Sequence, residues 1–280
     1  MPRYILSYRG EVKIMQNKKK ILTLVLVLIT ITPVVFISGC LEQRGGKTII
    51  VGTNAFFPPF EFYQNTTIVG YDIELVTKIL TDAGYKVEVR NMDFDSLQGA
   101  LTSNSIDVIA AALTITVNRS LVMNFTTPYF DSNQSVLINH NNNPNLTINS
   151  THGFVAISKV GAQRGTTGEI WIQDNLIAKG IINESQYEPY VLYTSAVSDL
   201  DINRIQAVVL DSPVAKVFEG KNGKNITMNI ITNEQYGFAV QKGNTTLLNV
   251  LNTGLAQLKG SQYLADLKVK YFERTWIITE

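Results

Sequence analysis

The sequence predicts an α/β protein built as two lobes, on three observations. Short apolar strands alternate with helical patterns between Thr48 and Ala112, the signature of βαβ units. A polar stretch from Asn139 to Thr151 interrupts the alternation, and a second set of strands and helices follows it. Val108 to Ala112 is a continuous apolar run of the kind a parallel sheet buries on both faces. With 280 residues, 45% of them hydrophobic, the chain has enough apolar material for two modest cores.

Each element follows from its local pattern. Thr48 to Val51 reads as a buried strand. Gly70-Tyr71-Asp72 leads into a helix with Ile73, Val76, Ile79 and Leu80 on one face, closed by Gly84. Lys86 to Arg90 alternates as a strand, and Asp95 to Ser103 is a short helix with Leu97 and Leu101 inward. In the second set, Val160 to Ala162 is a strand, Gly168 to Ala178 a helix and Tyr190 to Tyr193 a strand. A helix over Ser195 to Asn203 and a buried strand over Ala207 to Leu210 follow. Gly237 to Val240 is a further strand, and Leu247 to Leu267 is largely helical, with Leu248, Leu251, Leu255 and Leu258 as its apolar stripe. The chain is expected to cross between lobes near Phe130 to Ser135 and again near Glu234 to Tyr236.

The N-terminus is of a different character. Lys18-Lys19-Lys20 precedes an uncharged stretch from Ile21 to Gly39, the order of a secretory signal. A permanent transmembrane anchor is the alternative, since 19 residues nearly span a bilayer. Pro33 interrupts the run, and Ile37-Ser38-Gly39-Cys40 is similar to a lipobox, whose Cys receives a diacylglycerol. Met15 opens a more typical signal than Met1. Cys40 is the only cysteine, so no internal disulfide forms and it reads as a lipid attachment site. The expected organisation is a signal segment over 1–39, a lipidated tether over 40–47, a first lobe from 48–132 and 236–280, and a second over 133–235.

Charge and sequons bear on partners. The first 39 residues hold six of the 24 Lys and Arg and one of the 23 acids, which leaves 18 basic and 22 acidic groups in the body. A mildly acidic body argues against nucleic acid as partner. Nine Asn-x-Ser/Thr sequons occur, at Asn65, Asn118, Asn124, Asn133, Asn145, Asn149, Asn183, Asn225 and Asn244, which points to a glycosylating, for example archaeal, cell surface. A glycan at Asn118 would crowd the predicted site, whereas Asn124 is expected to stay bare.

Several ordered motifs carry a family resemblance. They are Gly52-Thr53-Asn54-Ala55-Phe56-Phe57-Pro58-Pro59-Phe60-Glu61-Phe62, Val69-Gly70-Tyr71-Asp72-Ile73-Glu74-Leu75 and Met92-Asp93-Phe94. Ile106-Asp107-Val108-Ile109, Leu113-Thr114-Ile115-Thr116 with Arg119, Gln163-Arg164-Gly165-Thr166-Thr167-Gly168 and Asp211-Ser212-Pro213 complete the set. From about 46 to 280 the chain resembles the extracellular solute-binding proteins of amino-acid importers, family 3. The resemblance implies a type II periplasmic-binding-protein-like fold with a ligand cleft between the lobes, an amino-acid ligand, an ABC permease as partner and a monomeric, exported receptor without cofactor or metal.

An amino acid brings both charges into such a cleft, and unpaired charges are costly to desolvate. Arg119 is the candidate for the α-carboxylate, because its planar guanidinium makes bidentate bonds. Thr166 and Thr167 open a helix whose N–H groups point outward, an anion site. Asp211 lies past the end of a buried strand, where ligands sit in open α/β sheets, and is expected on the α-ammonium with Thr114 Oγ1 and the Ala112 carbonyl. Phe57 and Phe94 are aromatic walls in the family, while Asp72, Asp107 and Glu61 read as capping or packing residues. Asn54 and Gln163 occupy side-chain-sensing positions; two amides with no facing acid favour a neutral polar ligand such as glutamine. Gln206 and Asn124 depart from the family pattern where it carries Asp.

Hinge closure is the implied mechanism, with Phe57, Thr114 and Arg119 on the first lobe and Gln163, Thr167 and Asp211 on the second. Two rivals stand beside it. Some dehydratases share the fold, but the expected cleft lining has no His and no unpaired Glu to donate a proton. A sensor would normally continue into membrane and cytoplasmic modules, and this sequence ends at Glu280, which leaves a free-standing ligand sensor as the form of that alternative.

Overall fold

The computed structural model describes residues 46–273; the expected signal segment, Cys40 and the expected tether up to Gly45 lie outside them. β1 (Thr48–Thr53) is followed by a small antiparallel meander, β2 (Phe56–Phe57), β3 (Glu61–Gln64) and β4 (Thr67–Val69). α1 (Tyr71–Asp82) then buries Ile73, Leu75, Val76, Ile79 and Leu80, as the 3.6-residue spacing requires. β5 (Lys86–Asn91) follows, and a 3₁₀ turn at Phe94–Ser96 runs into α2 (Leu97–Thr102). β6 (Val108–Ile109), α3 (Val117–Val122) and β7 (Met123–Phe125) complete this half.

The second half opens with a ten-residue strand, β8 (Phe130–Asn139), then β9 (Val160–Gln163) and α4 (Thr167–Ile172), which continues as a π-turn over Gln173–Ile177. β10 (Tyr187–Tyr190), α5 (Tyr193–Asp201), β11 (Ala207–Asp211) and α6 (Ser212–Phe218) follow. β12 (Lys224–Tyr236) is 13 residues long and leads to β13 (Ala239–Gln241), α7 (Thr245–Leu258) and α8 (Gln262–Lys268). No helix among the described residues is long and apolar enough to cross a membrane.

Two five-stranded sheets share one plan. The first has the order β5-β1-β6-β13-β7, with β5, β1 and β6 parallel and β13 antiparallel to both neighbours. The second has the order β10-β9-β11-β8-β12, with three parallel strands and then two antiparallel joins. The strands of the first sheet come from residues before 126 and from 239–241, and those of the second from 130–236. β8 and β12 pair from Phe130↔Tyr236 to Asn139↔Lys224, so the two links between sheets run side by side. An aromatic cluster lies beside these links: Phe130 stacks on Tyr236 at 5.7 Å and on Phe272 at 5.0 Å, and Phe60 meets Phe130 edge-on at 4.9 Å.

Several expected elements shift. The strand expected over Tyr190 to Tyr193 lies instead at Tyr187–Tyr190, because Tyr187 and Tyr190 are the buried alternate pair and Tyr193 opens α5. The helix expected over Leu247 to Leu267 is two helices, broken at Gly260 (φ 76°), where Ser261 caps α8 by accepting from the Leu264 N–H at 3.2 Å.

Candidate functional site

The site lies where the C-terminal ends of the parallel strands of both sheets meet. β1 ends at Thr53, and the next residue, Asn54, is 2% exposed. The β2–β3 hairpin brings Phe57 opposite Glu61. Ala112 and Thr114 follow β6, Gln163 ends β9, and Asp211 ends β11 at the N-cap of α6. Thr166 is the N-cap of α4; its hydroxyl accepts from the Glu169 N–H at 3.2 Å and donates to the Gln163 carbonyl at 2.7 Å. The structure brings all ten predicted residues, from Asn54 to Asp211, around one narrow cavity, together with Ala111 and Glu61.

Arg119 spans the cleft. Its Nη1 donates to the Thr114 carbonyl at 2.7 Å and its Nη2 to the Gly165 carbonyl at 2.8 Å, while the guanidinium lies 5.6 Å from the Phe94 ring centroid. Thr116 caps α3 and so fixes the helix that carries Arg119. Burial pulls the guanidinium down to about 10, against the opposing pull of Asp211 and Glu234. Asp211 is pushed up to about 7, first by burial and then by Glu234; Tyr236, Gln134 and Arg119 act the other way. Tyr236 donates to Asp211 Oδ2 at 2.6 Å, and Gln134 Nε2 donates to Oδ1.

The structure adds residues that the sequence reading missed. Glu234 is 9% exposed, and its Oε2 accepts from Thr114 Oγ1 at 2.8 Å and Thr167 Oγ1 at 2.7 Å. The Thr114 hydroxyl, expected on an ammonium, is thus held by a carboxylate. Gln134 Nε2 also donates to Glu234 Oε1 at 3.2 Å. Register shifts in the β8–β12 ladder between Ile230 and Glu234, with Asn233 at φ 51°, turn this segment out of plain alternation.

Glu61 requires a correction. The sequence reading made it a packing residue and expected no unpaired Glu in the lining. Glu61 lines the cavity, is 1% exposed, and neither of its carboxyl oxygens has a partner among the described residues. Burial, then Asp72 and Asp211, hold its carboxyl well above the usual range. The signal was present: residues directly opposite in an antiparallel pair point to one face, so Glu61 shares the face of Phe57. Asp72 and Asp107 do take structural roles. Asp72 Oδ2 accepts from the Ala112 N–H at 2.8 Å and Tyr129 Oη at 2.5 Å, and Asp107 Oδ2 from the Ile50 N–H at 2.8 Å. The Asp72 bond holds Ala112 at φ 46°, a left-handed conformation that a residue with a Cβ rarely adopts.

Asn54 and Gln163 face each other. Gln163 Nε2 donates to Asn54 Oδ1 at 3.0 Å and to the Val191 carbonyl at 2.8 Å, and Asn54 Nδ2 donates to the Met92 carbonyl at 2.9 Å. Gln206, where the family pattern carries Asp, accepts from the Lys159 N–H at 2.9 Å and from the Ser158 hydroxyl at 2.6 Å.

Known proteins resemble this chain in sequence and fold. The model of the bacterial extracellular solute-binding proteins, family 3, matches residues 49–274. A probable histidine-binding protein of Neisseria gonorrhoeae is 28% identical over 82% of this chain and 84% of its own. A putative ABC transporter arginine-binding protein 2 of Escherichia coli K12 is 30% identical over 84% of this chain and 94% of its own. Among solved structures, a mutant of ArgBP from T. maritima superposes with a TM-score of 0.75 at 35% identity, covering 84% of this chain and 98% of that one. The ancestral amino acid-binding protein AncCDT-1, a precursor of cyclohexadienyl dehydratase, reaches 0.71 at 29% identity, covering 83% and 97%. The two sheets and the cleft between them are the type II binding-protein fold, and the chain belongs to the bacterial extracellular solute-binding proteins, family 3.

Proposed function

We propose that the protein is an exported receptor that closes two lobes around a small polar amino acid and delivers it to an ABC-type permease. One observation carries the reading: Arg119 and Asp211 line one cavity to which both sheets contribute, and their charges act on each other. A cation and an anion facing one cavity suit the α-carboxylate and α-ammonium of a free amino acid. In this reading Phe57 and Phe94 flank the ligand, and Thr166 and Thr167 add polar contacts. Ligand stabilises the closed arrangement because only that arrangement offers both sets of groups. The permease and the amino-acid class rest on what the relatives bind and serve. Removal of residues 1–39, lipidation at Cys40, glycans on exposed sequons and a monomeric state belong to the same proposal.

Thermal unfolding against the twenty amino acids tests it. A ligand that binds only the folded form raises the melting temperature by mass action. The expected result is a shift with one or a few polar amino acids that is lost in Arg119→Ala and Asp211→Ala, both of which still unfold cooperatively. Unchanged affinity in both variants removes the site assignment.

A second reading has one observation in its favour. Glu61 is a buried, unpartnered carboxyl in the cavity, and an ancestral relative is the precursor of a dehydratase. A carboxyl held protonated over a ligand suits general-acid work. Release of water from a hydroxylated cyclic acid, followed by absorbance of the product, separates this reading from the receptor. The expectation of a neutral ligand had rested on there being no facing acid, and Glu61 removes that premise.

A further inference from the structure

We propose that Asp72 is a positioning residue for ligand binding: from outside the cavity it holds Ala112 in the backbone conformation that presents the segment from Ala111 to Thr114 to the ligand. The inference deepens the receptor reading and rests on it. Ala111, Ala112 and Thr114 line the cavity, and Asp72 does not. Ala112 takes its place there at φ 46°, where its Cβ crowds the backbone and a free alanine would relax to a negative φ. Something must supply the difference.

The bonds along the segment show what does. The Ala110 N–H donates to the Gly52 carbonyl at 3.0 Å, and the Ile115 N–H to the Gln235 carbonyl at 2.8 Å. The Leu113 carbonyl accepts from the Gly237 N–H at 3.1 Å. These bonds come from neighbouring backbone and fix the segment on either side of Ala112. At Ala112 the N–H meets a side chain instead, donating to Asp72 Oδ2 at 2.8 Å from 40 residues away in sequence.

Asp72 is itself held firmly. It is fully buried in the first turn of α1, and its own N–H donates to the Phe60 carbonyl at 3.0 Å. The oxygen that serves Ala112 also accepts from Tyr129 Oη at 2.5 Å, and the Tyr129 ring stacks on Phe238 at 4.4 Å. The hairpin before α1 and the chain before β8 thus aim one acceptor at the Ala112 N–H before any ligand arrives. What Asp72 offers the ligand is preorganisation. Without its bond a left-handed alanine is disfavoured by roughly tenfold, and the apparent affinity falls with the competent fraction.

The test is a double-mutant cycle read by calorimetric titration, with each of the twenty amino acids as probe. Asp72→Ala should weaken the binding of those that bind by about tenfold, the population that Ala112 loses. The same change made on Ala112→Gly should weaken that variant's own binding by less than about threefold, because glycine adopts a positive φ without penalty. Asp72→Asn, which keeps an acceptor for the Ala112 N–H, should stay within about threefold of the unaltered protein. Melting curves show which forms are folded. Where Asp72→Ala does not fold, Asp72→Ser takes its place, since its hydroxyl reaches one bond less far towards Ala112. An equal factor of loss in both backgrounds, no loss in the first, or a loss in Asp72→Asn as large as in Asp72→Ala overturns the proposal and leaves the receptor standing. Binding of no amino acid by the ligand-free protein removes the receptor reading and this proposal together.

Discussion

Asp72 carries a cost that its hydrogen bonds only partly offset. Burial pushes its carboxyl up to about 7 from 3.8, although Tyr129 and the Ala112 N–H pull it down. The folded state therefore keeps this proton over a range where the unfolded state has lost it. Stability is greatest below the unfolded value, declines between about pH 4 and pH 7, and levels off above the folded value. Asp72→Asn preserves an acceptor for both donors and places the amide nitrogen where Oδ1 has no partner. The variant should lose about one proton's share of the pH dependence of unfolding free energy across that window, measured by urea titration at several pH values. An unaltered slope would show that Asp72 is ionised in the fold. At this scale motif and chemistry were enough to place Arg119 and Asp211 in the lining of one cavity. Glu61 was not placed there, because its role depends on the partner across the β2–β3 hairpin. Glu234 and Gln134 were not found, because β8 and β12 meet only through a ladder with register shifts.

The helices that escaped the sequence reading are short or turned outward, and the two long strands that escaped it, β8 and β12, were read only as crossings between lobes. α3 has six residues and no buried side chain, with Val117 80% and Leu121 70% exposed, so its apolar pattern opposes its packing. α6 spans seven residues, too few for a period to register. The long elements, α1 and the parallel strands, were legible because burial and periodicity agree in them. One junction makes a strong prediction. Gly70 precedes α1 at φ 139°, and a Cβ there would stand 2.0 Å from the Phe60 carbonyl oxygen. That carbonyl accepts the Asp72 N–H at 3.0 Å, so it is not free to retreat. Gly70→Ala should destabilise the fold by about 3 kcal/mol or more in chemical denaturation. A loss below about 1 kcal/mol would mean that the hairpin and α1 are not rigidly joined.

Across the whole molecule, the two lobes meet through a few contacts of unequal weight. Gln163 to Asn54 and Arg119 to Gly165 are joined in the cavity, whereas Arg164 meets Asp95 at 3.2 Å with side chains 46% and 35% exposed. Solvent screening makes such an ion pair worth under about 1 kcal/mol. Asp95→Ala should therefore weaken ligand binding by less than about fivefold, and by less still in high salt. A loss as large as that of Arg119→Ala would make the rim pair part of the closing device. The two-lobe plan itself was legible, since both alternating sets stand on either side of a polar stretch. The sharing of strands between them was less so, because the links β8 and β12 are read as one hairpin only in three dimensions.

The position of β13 has a consequence for how the molecule is made. Its pairing joins Ala239 to Ile109 and Phe125, so the first sheet is closed by a strand that follows the whole second lobe. A chain emerging from its N-terminus holds β6 with an open edge until residues 239–241 arrive. Such late, distant pairing slows folding and leaves an unpaired edge exposed meanwhile. The second lobe, contiguous in sequence, is free to form first. A protease cut between Tyr236 and β13 would leave the first sheet closed by the non-covalent pairing of β13 with β6 and β7 alone.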